Sequence, residues 1–528
     1  MAGKFGAGVG GPFALAIVLT LLGLIVGDAT FGMIVGVAVV LLIIYVMSKV
    51  PLRVSLMGLM FCAFTLENPN DLPAAGQWKS PLYGVGAVML THLNLVTGIK
   101  ALSFSGMDIA IVSLFVIALY RKTSGSKIDR AGRIATPEPL IRLAYVSLAG
   151  MAFVWMTGML RGGDFSASLW QIDRVMYLPL LFLLFQMGLR GPKDHAALAR
   201  VLLIAAVIRA LLAIYIAMTV SIPPDETGNT SLPYQTSHHD SMTFAAAVVL
   251  LVALVMHRTA RWTPRLALVL LPILISGMMV NNRRMVWVQI GMVFITLYFA
   301  TPMNAAKRKI KKAALALSPV IAIYLSIGWS SKSSVFKPVQ TIRSVVEPAT
   351  DASSMTREIE NYDLIYTIRQ HPILGTGYGN GYWEIIPLPP MSYPLERYCP
   401  HNSLLGLWVY AGYFGYTAMT LLWVAGVYFG LRAYHASKLP SDRAAALMSF
   451  GAVLIYSIQC WGDMGLGSWI GVFTVAPALS IAGKLAVATG AWPSGQRSRA
   501  PSTAKAPVAA DVPPAAVGFG GSGAVGPS

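Results

Sequence analysis

The chain is a succession of apolar runs about as long as a bilayer is thick, and nothing else limits its fold so strongly. A helix needs about 20 apolar residues to cross the hydrocarbon core, with a range of about 17–25. About fourteen runs approach that length. They lie at 12–27, 31–48, 54–66, 107–120, 140–158, 171–189, 196–219, 241–256, 264–281, 284–301, 313–329, 402–431, 443–461 and 465–485. The fold class is therefore read as all-α: a polytopic transmembrane helical bundle of about 12–14 spans. The segment 82–98 is less apolar and is broken by glycine and threonine, so it reads as a surface or re-entrant piece. The first run lacks a small-residue cleavage site and a second follows almost at once. It reads as a retained span, not a signal peptide.

Orientation follows from the basic residues. The connections 49–53, 121–133, 189–200, 257–265, 305–312 and 431–443 are basic, and the alternate ones are mixed or acidic. This pattern predicts cytoplasmic termini and puts the long polar interval 330–401 outside, in the periplasm or its equivalent. Only 12% of residues are charged, against about a quarter in a soluble domain. The formal charge of +18 then belongs to cytoplasmic loops and implies no nucleic-acid partner. The sequence divides into an N-terminal transmembrane region, 1–220, a core, 221–490, containing the outer loop, and a Pro/Ala/Gly/Ser-rich tail, 491–528. The tail has too few large apolar residues to bury and reads as disordered. Cysteine is scarce and shows no metal-ligand spacing; Cys399 and Cys460 fall on the same side and could pair.

Residues 355–416 form the stretch that promises chemistry. MTREIENYDLIYTIRQ (355–370) puts Ile359, Tyr362, Ile365, Tyr366 and Ile368 mostly on one face, as in an amphipathic helix lying on the outer surface. HPILGTGYGNG (371–381) breaks it; no Gly-Lys-Ser/Thr follows, so it is a turn and not a P-loop. His401-Asn402 opens the next apolar helix, and Gly412 and Gly415 mark a bend in it. His401 is either a base for a hydroxyl nucleophile or a helix-capping side chain. Arg283 and Arg284 open a span at its outer end, where backbone NH groups and guanidinium forks suit a phosphate; snorkelling anchors are the alternative. Arg174 has Asp173 beside it as an ordinary charge partner. Arg209 lies within a span and is a functional cation or half of a structural pair. His238, His239 and Asp240 precede a span as substrate contacts or interface residues; adjacent histidines point apart and suit a metal poorly.

These residues carry a family resemblance. HPILGTGYG followed about twenty residues later by HNSLLGLWVYAGYFG (401–415) resembles the signature of the O-antigen ligase/polymerase superfamily, the bacterial Wzy and WaaL membrane glycosyltransferases. SHHDSMTFAAAVVLL (237–251) and MMVNNRRMVWV (278–288) resemble the starts of two earlier spans of that family. The resemblance covers about 240–430 and implies a bacterial inner-membrane enzyme with a periplasmic site. The implied donor is a glycan on undecaprenyl diphosphate. An acceptor hydroxyl displaces the lipid diphosphate with inversion, without a metal or other cofactor. His401 would be the catalytic base. Arg283 and Arg284, joined by Arg174 and Arg209, would hold the diphosphate, and His239, Asp240, Asn402 and Tyr378 would contact substrate.

Within the family the acceptor decides the activity. A polymerase joins repeat units and implies a chain-length regulator as partner. A ligase moves finished chains to lipid A-core, and a protein glycosylase moves glycans to Ser or Thr. Outside the family, a polysaccharide flippase or transporter would also have many spans and buried arginines. It should show repeats and broken spans in corresponding positions, and the sequence has none.

Overall fold

The computed structural model describes residues 41–68, 83–94, 103–124, 134–191, 194–219, 235–303, 305–331, 333–336, 352–388 and 397–493, with residues 38, 98, 129, 339, 340, 343 and 347 as isolated positions. The expected span 12–27, most of the run 31–48 and the tail beyond 493 lie outside the described residues. The described elements are helical. They are α1 (Leu52–Thr65), α2 (Tyr83–Leu90), α3 (Gly106–Thr123), α4 (Glu138–Leu160), α5 (Phe165–Gly188), α6 (His195–Thr219), α7 (Asp240–Met256), α8 (Thr263–Val280), α9 (Arg284–Ala300), α10 (Ala305–Gly328), α11 (Ala352–Gln370), α12 (Ser403–Ala436), α13 (Pro440–Gly462) and α14 (Trp469–Ala488), with 3-10 turns at Ser334–Phe336 and Gly465–Gly467.

Eight of these are long and apolar enough to cross a membrane, and α1, α7 and α9 are shorter apolar helices. Helix α3 matches another expected span, with Asp108 in its first turn and Arg121 and Lys122 in its last, charges that suit the two ends of a helix dipole. The chain is thus a multi-pass membrane protein built as a helical bundle. At eight residues, α2 is only about 12 Å long, too short to cross, and its end is buried at Met89 and Leu90.

Helix α14 lies at the centre, packed on α5, α12 and α13. Its sequence is apolar on every side, and a helix of that kind belongs in the interior; 89% of its span is buried. Small residues let neighbours close in: a Cβ on Gly426 of α12 would come within 2.1 Å of Leu479 Cδ2. Helix α7, buried along most of its length, packs on α6, α8, α9 and α13. Helix α10 is the opposite case, with none of its span buried. The N-terminal ends of α5, α7, α9, α12 and α14 gather at the end of the bundle that carries α11, called here the loop end.

Helix α11 confirms the expected helix and corrects its orientation. Its inward stripe is Glu360, Asp363, Leu364 and Thr367, all buried, while Tyr362 and Ile365 are exposed. The buried acids have work inside the protein. Asp363 Oδ1 accepts the Ile385 and Ile386 amides at 3.1 and 3.2 Å, and Thr367 Oγ1 accepts the Trp383 amide at 2.9 Å. The three cysteines are free, so the Cys399–Cys460 pairing is not made.

Candidate active site

The site rests on a break in α12. Gly412 has φ 60° and ψ −173°, which splits two hydrogen bonds of the helix ladder. The turn 372–377 supplies both halves. The Thr376 amide donates to the Val409 carbonyl at 2.8 Å and the Gly377 amide to the Tyr410 carbonyl at 3.0 Å. The Tyr413 amide donates to the Pro372 carbonyl at 2.9 Å. Backbones approach so closely that a Cβ on Gly412 would lie 2.2 Å from the Ile373 carbonyl oxygen. On its other side Gly377 sits against Gly158 of α4, and Arg161 Nη1 donates to the Gly375 carbonyl at 2.8 Å. The glycines of HPILGTGYG thus join the loop to α12 and α4. Tyr378, expected to contact substrate, is 1% exposed with its hydroxyl on Met151 Sδ at 3.3 Å. The structure makes it a packing residue.

His401 precedes the first turn of α12. Its backbone amide donates to Glu360 Oε2 at 3.0 Å, and its Nδ1 lies 3.3 Å from Glu360 Oε1. Glu360 is 1% exposed, whereas the imidazole is partly open at 23%. A carboxylate on Nδ1 fixes the proton there and leaves Nε2 as the accepting nitrogen. Asn402 is the helix cap, accepting the Leu405 amide at 3.2 Å and donating to Asn361 at 2.9 Å, so it ties the start of α12 to α11. The alternative of His401 as cap is therefore taken by its neighbour.

Beside this pair sits a cluster built around Asp463, in the turn between α13 and α14. Ser403 Oγ donates to its carbonyl at 3.4 Å. His238 Nε2 lies 3.9 Å from its Oδ1, and His239 Nε2 lies 3.2 Å from the Met464 carbonyl. The two imidazoles lie side by side, with centroids 4.0 Å apart and planes tilted by 44°, rather than pointing apart as expected. Burial by itself would push the Asp463 carboxyl up, but His238, Arg357, His239 and Arg283 together hold it well below the usual carboxylate range. Arg357 is one turn before Glu360 on α11, so one helix serves both halves of the site. Arg357 and Glu360 stand out in the sequence only as two of the many charged residues of the outer loop, and Asp463 not at all; the spacing of Arg357 and Glu360 on a helix was the available signal.

The predicted arginines separate. Arg283, half-buried, interacts with Asp463, whereas Arg284 is exposed at the first residue of α9. Arg209 is 1% exposed and engages Asp240 with Nη2 at 2.6 Å and Nε at 2.9 Å from Oδ2. Glu67 lies 3.8 Å from it on the other side. Of the two alternatives for Arg209, the structural pair is the one the fold makes, and it takes Asp240 with it. Arg174 pairs with Asp173 at 2.6 Å and lies over the Trp469 ring at 5.1 Å. Asn281 holds the approach to α7, accepting the Gln235 and Thr236 amides at 2.9 and 3.1 Å.

A partly open histidine oriented by a buried carboxylate, beside an aspartate that gathers cations from three other parts of the chain, defines a membrane-embedded helical protein with a polar site at one end. Residues 269–420 match the family model described as O-antigen ligase. That match supports the O-antigen ligase/polymerase superfamily for this chain, on the same residues as the motifs. It spans most of α8 through the break in α12 and contains Arg283, Arg357, Glu360 and His401; His238, His239 and Asp463 lie outside it. No curated protein matches the chain.

Proposed function

We propose that this protein is a surface-polysaccharide polymerase of the bacterial inner membrane, with cytoplasmic termini and a periplasmic site. The donor is a glycan repeat unit on undecaprenyl diphosphate, and the acceptor is the sugar end of another such chain. The observation that carries this reading is the His401–Glu360 pair at the start of α12, where Ser403 meets the Asp463 cluster that Arg283 and Arg357 join.

An acceptor hydroxyl oxygen attacks the anomeric carbon and its proton passes to His401 Nε2, while Glu360 holds Nδ1–H. The bond from that carbon to the diphosphate oxygen breaks, and its electron pair leaves with the lipid diphosphate. One displacement inverts the anomeric configuration. Preorganised guanidinium donors stabilise the charge that develops on the leaving group, so Arg283 and Arg357 suit that task. These side chains supply a base and an electrophilic clamp without a metal at the reacting atoms.

Ligation to lipid A-core is the second reading, favoured by the description of the matching family. The chemistry is the same and only the acceptor differs. Purified protein in liposomes with lipid-linked glycan and acceptor should release free undecaprenyl diphosphate. No release with either acceptor overturns the enzyme reading and favours a flippase. Deletion strains separate the two activities: lipid-linked single repeat units accumulate without a polymerase, and long polymer without a ligase.

A further inference from the structure

A second group of chemically capable side chains shares no residue with the His401 and Asp463 clusters. His92 follows α2, Asp108 lies in the first turn of α3, and Asp173 lies in α5. Their ligating atoms are all within 4.8 Å of one another. His92 is 1% exposed, and among the described residues neither ring nitrogen has a hydrogen-bond partner. Its Nε2 lies 3.6 Å from Asp173 Oδ2, beyond hydrogen-bonding range. The Trp170 ring against it, with centroids 4.1 Å apart, fixes the imidazole plane. Asp108 Oδ2 is already held by the Ser105 amide and hydroxyl, at 2.5 and 2.8 Å, so the carboxylate is oriented by the capping box of α3. Its Oδ1 is buried beside the Tyr177 phenol.

A buried imidazole that makes no hydrogen bond and is aimed at two carboxylates is an arrangement that an added cation would complete. We propose that His92, Asp108 and Asp173 bind one divalent metal ion. The donor set is one imidazole nitrogen and two carboxylate oxygens. It is too poor in oxygen for a calcium cage and has no thiolate for a soft ion, so Mn²⁺ and Zn²⁺ fit best. Ligand bonds of about 2.1 Å bring tetrahedral ligand atoms to about 3.4 Å of one another, so the widest separation closes by up to about 1.4 Å, within reach of side-chain rotation. Arg174 shares Asp173 at 2.6 Å, and the two carboxylates with this one guanidinium still leave a net negative charge to receive the ion. The site takes no part in the displacement at His401; it ties the segment after α2 to α3 and α5.

Binding is the readout, so this inference stands or falls independently of the glycosyltransferase reading. Chelator-stripped full-length protein in detergent is titrated with MnCl₂, and free Mn²⁺ is followed by electron paramagnetic resonance, with ZnCl₂ as competitor. The expected result is one equivalent bound, displaced by Zn²⁺, and at least tenfold weaker binding in both His92→Ala and the isosteric Asp108→Asn. His401→Ala should bind as wild type does. Absence of Mn²⁺ and Zn²⁺ uptake by the wild-type protein overturns the proposal in favour of a proton-sharing carboxylate cluster. So does wild-type affinity in a His92→Ala protein that elutes as a single folded species. If that variant aggregates, Asp108→Asn decides by the same criterion.

Discussion

Glu360 reaches His401 across 41 residues of sequence, and that contact is what turns a histidine at a helix start into a candidate base. Removing a general base typically costs about 10²–10⁴-fold in rate, so His401→Ala should lower undecaprenyl-diphosphate release by that order. Glu360→Ala should lower kcat about tenfold or more with the donor KM little changed, because it loosens the imidazole without touching the donor. Arg283→Lys keeps a charge but loses the fork; it should lower kcat/KM about tenfold in the same assay, while Arg284→Lys, at an exposed position, should stay near wild type. Asp463 makes a pH prediction. Its folded pKa is depressed below the ordinary value of 3.8, so its contribution to stability is complete at neutral pH and is lost as pH falls below about 4 toward the folded value. Melting midpoints measured from pH 7 to pH 3 should be level at first and then drop, and Asp463→Asn should melt lower at pH 7 with a smaller acid drop. His401 and Arg283 were legible in the sequence because each opens an apolar run. Asp463 was not, because a lone acid in a short loop acquires meaning only from what surrounds it.

Among the elements, span length was the most legible property, since the bilayer imposes it directly. The bend in α12 was also foreseen at Gly412, but its partner was not: nothing in HPILGTGYG announces that its amides complete another helix. Gly412→Ala should be severely destabilising, because the new Cβ needs space 2.2 Å from the Ile373 oxygen and the residue sits at φ 60°. A loss of more than about 2 kcal/mol is expected for such a change, read as a melting midpoint lower by several degrees in detergent. Gly467→Ala, with nothing within 4 Å of its Cβ, is the contrasting control. Helix α11 was misjudged for a definite reason. Apolar periodicity locates the buried face of a helix only when the core it meets is apolar, and here Glu360, Asp363 and Thr367 turn inward to hold loop amides and His401.

For the whole molecule, alternating basic loops predict which way each helix crosses, but not which helices meet. Arg209 shows the difference: its depth in a span was evident, and its partners Asp240 and Glu67 lie on separate elements. Breaking a buried ion pair by removing one side costs about 3–5 kcal/mol. Arg209→Met should therefore lower the melting midpoint sharply, and Arg209→Met combined with Asp240→Asn should recover part of the loss. A double variant as unstable as the sum of the singles would show that the two side chains do not act on each other.

The break at Gly412 also bears on how any substrate could reach His401. Because the turn 372–377 supplies the amides and carbonyls that α12 lacks, swinging it outward would strip that helix of backbone partners. That stretch is a fixed wall rather than a door. Access to His401 must therefore run past some other edge of the loop end, and this stretch stays in place while it does.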